Sequence, residues 1–196
     1  MPHLALKCLL VVLLGAVQIN GTLAQDDPFD SRALTHIDTV APDSTHKQLP
    51  WEIEEFINEE IEFKIPVITC QQLWKMQQNG RKKLAILDAR SQKEFDISHI
   101  KGAKRVGYDD FSPDRIWFVD QDITVVIYCR VGKRSEKIAL ELQEMGFTNI
   151  FNLYGSIIEW VNQGLPIVDK NGKRTRRVYV FNKKERALLK KGEGVN

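Results

Sequence analysis

Thiols and imidazoles are scarce in this chain. Beyond residue 24 its two cysteines and three histidines fall nowhere at the close spacing that a metal centre needs. His36 and His46 stand in a polar stretch with no cysteine beside them, so no metal is expected. The glycine-rich dinucleotide fingerprint is also missing, and no organic cofactor is implied. No internal repeat is evident. The apolar run over residues 8–17 is short of the about 20 residues that cross a bilayer. A net charge of +2 says nothing about partners, whereas 43% hydrophobic residues supply a proper core.

What is there is unevenly distributed. His3 and Lys7 precede the short apolar run, and Thr22-Leu23-Ala24 offers small residues for cleavage. Residues 1–24 therefore read as a signal peptide, with cleavage after Ala24 and export to the periplasm or exterior, an uncleaved anchor being the alternative. Removal of Cys8 leaves Cys70 and Cys129, for which a structural disulfide is the plain alternative to a free thiol. Residues 25–50 are rich in Asp, Ser, Thr and Pro and read as a flexible tether. Residues 51–61 then place Ile53, Phe56, Ile57 and Ile61 at helical spacing, and residues 51–62 carry six glutamates and no cation. At the other end, residues 170–191 carry ten Lys and Arg against the single Glu185. A solvated basic tail folding back toward the acidic helix is more economical than binding to anionic lipid or nucleic acid, and no nucleic-acid partner is expected.

Between these ends helix and strand signals alternate. A capping box, Thr69-Cys70-Gln71-Gln72, opens a helix with Leu73 and Met76 facing inward. Strands follow over 84–88, 104–108, 124–128 and 149–153, interleaved with helices over 92–97, 135–145 and 157–161. Residues 177–181 read as an edge strand or an extended arm and 182–191 as a short basic helix. The interleaving predicts an α/β fold with a parallel sheet, whose sites lie at the carboxyl ends of strands.

One of those ends carries chemistry. The β-branched run Thr124-Val125-Val126-Ile127-Tyr128 suits a covered strand and delivers Cys129 into a loop with Arg130, Lys133 and Arg134. Ser135 is read as the N-cap of the next helix. A thiol with a pKa near 8.5 is only ~3% ionised at neutral pH, so three cations and a helix N-terminus would raise its nucleophilicity. Gly132 lets the backbone turn tightly.

With these residues in view, the loop Cys-Arg-Val-Gly-Lys-Arg-Ser (residues 129–135) resembles the active-site loop of single-domain rhodaneses, which are thiosulfate sulfurtransferases. The stretch LDARSQKEFDISHIKGA (87–103) and the closing MGFTNIFNLYGSIIEWVNQGLP (145–166) resemble that family's other landmarks, in order. The likeness covers about residues 65–168, leaving 25–64 as tether and acidic helix and 169–196 as a basic extension. It implies a rhodanese-like parallel sheet flanked by helices on both faces.

It further implies that Cys129 is the catalytic nucleophile and that residues Arg130, Val131, Gly132, Lys133, Arg134 and Ser135 hold the anion. The donor would be thiosulfate or another sulfane-sulfur compound, and the acceptor a thiol, cyanide or a protein. Asp88, Arg90 and His99 are expected to support structure rather than to react. Ser156 stands where the family usually has a second glycine, far from Cys129 in sequence, and is expected to affect only the entry of the last helix. Cysteine phosphatases of related architecture use a loop longer by one residue, with arginine six positions after the cysteine, where this chain has Ser135. A non-enzymatic persulfide carrier remains the other reading.

Overall fold

The computed structural model describes residues 51–80 and 83–196, so the signal-peptide and tether expectations lie outside the described residues. Five parallel strands form the central sheet in the order β1-β6-β5-β2-β4. They are β1 (Val67–Ile68), β2 (Leu84–Asp88), β4 (Lys104–Arg105), β5 (Thr124–Tyr128) and β6 (Ile150–Leu153). β5 lies between β6 and β2, in register Ile86↔Val126 and Val126↔Phe151. All five of its residues are buried, as a parallel strand covered on both faces requires.

The helices are α1 (Trp51–Glu60), α2 (Cys70–Gln78), α3 (Gln92–Ile97), α4 (Lys133–Glu144), α5 (Ser156–Asn162) and α6 (Lys183–Leu188), and they cover the sheet on both sides. The expected rhodanese-like α/β architecture is the observed one. Thr69 caps α2 as its capping box demands: Gln72 N–H donates to Thr69 Oγ1, and Gln72 Oε1 accepts from Thr69 N at 2.8 Å. Ser91 and Glu94 form a second capping box on α3. α4 presents Ile138, Ala139 and Leu142 to the sheet, joining Leu87, Val125, Ile127 and Ile150 in the main core.

Two small β elements complete the fold. β3 (His99–Ile100) pairs antiparallel with β7 (Ile167–Val168), which pairs with β8 (Arg174–Thr175). β9 (Arg177–Tyr179) runs parallel to β10 (Glu193–Val195), with α6 between them. The expected strand at 104–108 shrinks to Lys104–Arg105, because Val106 and Gly107 both turn their N–H groups onto Asp88 O and the chain leaves the ladder. The edge strand and short helix expected near the C-terminus are present, with Asn182 capping α6 through Glu185 N.

A second apolar cluster lies apart from the main core. Ile53, Ile57 and Ile61 from α1 and the residue following it meet Val131 of the loop after β5, Ile158 of α5 and Leu188 of α6. Charge reinforces the contact: Lys184 pairs with Glu59 at 3.3 Å and stands over the Phe56 ring, and Lys190 approaches Glu52. The basic extension does fold back on the acidic helix. Glu136 fastens the segment between, accepting from Glu62 N at 3.0 Å and Lys64 N at 2.8 Å. Among the described residues no helix is long and apolar enough to cross a membrane.

Candidate active site

Cys129 follows the last residue of β5 directly, so its position is fixed by the central ladder of the sheet. It is 1% exposed, and both it and Cys70 are free thiols, which excludes a disulfide between them. Gly132 N–H donates to Cys129 Sγ at 3.2 Å. Gly132 has φ +123°, a conformation closed to ordinary side chains, and a Cβ there would strike the Ile61 side chain. The loop thus turns back on the sulfur only because residue 132 is glycine.

Ser135 does not cap α4. The helix begins at Lys133, two residues earlier than expected, with Gly132 at its N-cap, because the positive-φ turn at Gly132 lets the following N–H groups enter the helix immediately. The Ser135 hydroxyl is directed instead at Asn152 Oδ1 (2.8 Å) and Gly132 O (3.0 Å), while Asn152 Nδ2 donates to the same carbonyl at 3.0 Å. These bonds lock the loop, with Asn152 supplied by the neighbouring strand β6.

The loop cations are all partnered. Arg134 donates to both oxygens of Glu94, the shortest bond being 2.9 Å, and Arg130 Nη1 reaches the same carboxylate at 3.4 Å. Arg130 Nε lies 3.1 Å from Glu185 Oε1, and its guanidinium stands over the Phe181 ring. Lys133 pairs with Glu60 at 2.6 Å. Burial pushes the Cys129 thiol up, but the Arg134 charge and the N–H groups of Ser135 and Gly132 outweigh it and leave the thiol below its ordinary value. Burial, with the Glu159 charge, pushes the Cys70 thiol well up. The two cysteines are therefore chemically distinct.

Ser156 is remote from Cys129 in sequence but adjacent in space. Cys129 N–H donates to Ser156 Oγ at 3.2 Å, and Ser156 holds φ +52°. Its expected influence on helix entry alone is too narrow: the hydroxyl fixes the backbone of the candidate nucleophile itself.

Asp88 and Arg90 form a wholly buried pair, with Arg90 Nη2 at 2.6 Å from Asp88 Oδ2 and also donating to Ser98 O at 2.6 Å. They tie the end of β2 to the α3–β3 connection. His99 Nδ1 faces Phe95 O at 3.0 Å, and its ring stacks on Phe95 at 3.8 Å, so it is engaged within α3 and β3. Val131 is buried in the second cluster.

A cavity of about 260 Å³ adjoins the loop, lined among others by Phe56, Glu60, Arg130, Lys133, Lys184 and Glu185. Only the loop residues in that set could be read from local sequence. Glu60 and Glu185 come from α1 and α6, and nothing in their own neighbourhoods signals the contact. Glu94 had a legible signal, since it is the third residue after the cap Ser91, but that signal describes capping and not the pairing with Arg134.

Comparison with known proteins bears on this geometry. Residues 69–163 match the rhodanese-like domain family. The chain is 33% identical over 100 residues to the thiosulfate sulfurtransferase GlpE of Haemophilus influenzae, covering 51% of this chain and 91% of that protein. The chain belongs to the rhodanese-like family. It is also 35% identical over 100 residues to the probable adenylyltransferase/sulfurtransferase MoeZ of Mycobacterium tuberculosis, spanning 50% of this chain but only 25% of that relative. A crystal structure of a Bacillus halodurans protein superposes with a TM-score of 0.54 at 17% identity, covering 69% of this chain and 98% of the other, which speaks to the fold. α1, α6 and β10 lie outside the rhodanese-like match, so two sides of the cavity are built by segments beyond it.

Proposed function

We propose that the protein is a sulfurtransferase in which Cys129 carries sulfane sulfur as a persulfide. The observation that carries this reading is the Gly132 N–H aimed at Cys129 Sγ from the N-terminus of α4, with Arg134 holding the thiol toward its ionised form. The sulfurtransferase names of the relatives from Haemophilus and Mycobacterium support the same class.

In the first step the Cys129 thiolate attacks the outer sulfur of thiosulfate. A new S–S bond forms, the sulfur–sulfur bond of the donor breaks, and sulfite leaves with the electron pair. In the second, an acceptor thiolate attacks the outer sulfur of the Cys129 persulfide, and Cys129 departs as thiolate. Preorganised N–H donors stabilise sulfur anions in both steps. Arg134 is the cation that acts on the sulfur, while Lys133, held by Glu60 and half-exposed, contributes less.

The test is mass spectrometry after exposure to thiosulfate. The protein should gain about 32 Da at Cys129, the mass of one sulfur, and the Cys129→Ser variant should neither gain it nor turn over. Labelling of Cys70, or turnover by the serine variant, would overturn the assignment. We also propose export with loss of residues 1–24; N-terminal sequencing of native material should begin at Gln25.

A further inference from the structure

The cavity beside the reactive loop has walls of both signs. Arg130, Lys133, Arg134 and Lys184 line it together with the carboxylates Glu60 and Glu185, and Phe56 supplies an apolar side. A site built for a small dianion such as thiosulfate gains nothing from two carboxylates at its rim. They weaken the attraction of the four cations for any purely anionic ligand.

The two signs are also not fully spent on each other. Arg130 Nε is buried without a hydrogen-bond partner, because its approach to Glu185 lacks the required alignment. The pair is thus held by charge alone, and the guanidinium of Arg130 is partly exposed, so a ligand carboxylate can compete for it. Glu60 is partly exposed and pairs with the half-exposed ammonium of Lys133, so an incoming ammonium group can compete for it. At about 260 Å³ the cavity lies just below the range of roughly 300–1,000 Å³ that holds drug-sized ligands, which suits a small metabolite.

We propose that this cavity selects a sulfur carrier bearing both a carboxylate and an ammonium group, an α-amino-acid thiol or its persulfide. Arg130 and Lys184 take the carboxylate, and Glu60 and Glu185 the ammonium, as specificity-determining residues contributed by α1 and α6. The proposal rests on the sulfur-transfer reading above. With cysteine as acceptor, its thiolate attacks the outer sulfur of the protonated Cys129 persulfide. The Cys129 Sγ–S bond breaks with its electrons on Cys129, and cysteine persulfide leaves carrying that proton.

The experiment uses full-length protein loaded with thiosulfate, freed of excess donor and checked for the gain of about 32 Da. The loaded protein is mixed with cysteine, with cysteamine, which lacks the carboxylate, and with 3-mercaptopropionate, which lacks the ammonium. Rates of persulfide loss are compared at equal thiolate concentration, since the thiolate is the attacking species. Cysteine should exceed each analogue about tenfold in transfer efficiency, as expected for one lost charge-assisted contact. In the double variant Glu60→Gln/Glu185→Gln, the advantage of cysteine over 3-mercaptopropionate should collapse, while its advantage over cysteamine persists. A merely structural role for the two glutamates would slow all three thiols alike.

Equal rates for the three thiols in the unaltered protein would overturn the proposal, whether or not the variant folds, and so would a variant that loses both preferences together. Absence of the mass gain with thiosulfate would instead strike the sulfur-transfer reading, and this proposal with it. A mass gain without charge preference strikes this proposal alone.

Discussion

Around Cys129 the decisive charge is Arg134, and it works against burial. Arg134→Ala should move the pH at which Cys129 becomes alkylated upward and lower kcat/KM by about tenfold or more, because the thiolate loses the cation that favours it. Arg134→Lys should restore most of the alkylation profile, since it returns the charge without the two-pronged contact to Glu94. Lys133→Ala should shift the profile far less, its ammonium being half-exposed and already paired. At Gly132 the argument is steric. Gly132→Ala meets both a forbidden φ and the Ile61 side chain, so thermal denaturation should show a loss of about 1–3 kcal/mol, together with slower alkylation as the N–H swings off the sulfur.

Among the elements, α1 holds the loop by apolar contact. Ile57 is fully buried against the cluster that contains Val131, and Ile57→Ala should cost about 2–4 kcal/mol in chemical denaturation. The sequence made several elements legible because their signals are local. β2 and α3 have the bounds that alternation and periodicity predict, and the Thr69 cap of α2 is visible in four consecutive residues. The expected start of α4 lies two residues late because a serine is a good cap in isolation, whereas the turn that actually opens the helix depends on the positive φ of Gly132. β4 came out short because its continuation is drawn onto the Asp88 carbonyl, a contact with another strand. Ser156 against the Cys129 backbone, and Glu60 and Glu185 beside the cavity, join residues separated by tens of positions, and no local pattern encodes such pairings.

For the whole molecule, acid stability should follow Glu94. Burial pushes its carboxyl up, yet bonding and charge from Arg134, with the Ser91 N–H and hydroxyl, hold it down to about 2. Because the folded value lies below the unfolded value of about 4.3, this stabilisation is complete above pH about 4.3 and is lost as pH falls through about 2. Denaturation followed over that interval should reveal about 3 kcal/mol that Glu94→Gln lacks throughout. The two ends of the chain should also respond together. Ile57→Ala and Leu188→Ala share one cluster, and a double-mutant cycle should give a coupling of about 0.5–3 kcal/mol, whereas additive losses would mean that α1 and α6 are held independently. That shared cluster changes what a trimmed version of the protein would report. A fragment cut to residues 69–163 would keep the thiol and its loop but lose the β1 partner of β6, the β7 partner of β3, and the side chains of Ile53, Ile57, Ile61 and Leu188. Val131 and Ile158 would then face water beside the sulfur, so any turnover by such a fragment would describe the loop alone, stripped of the cavity walls that α1 and α6 supply.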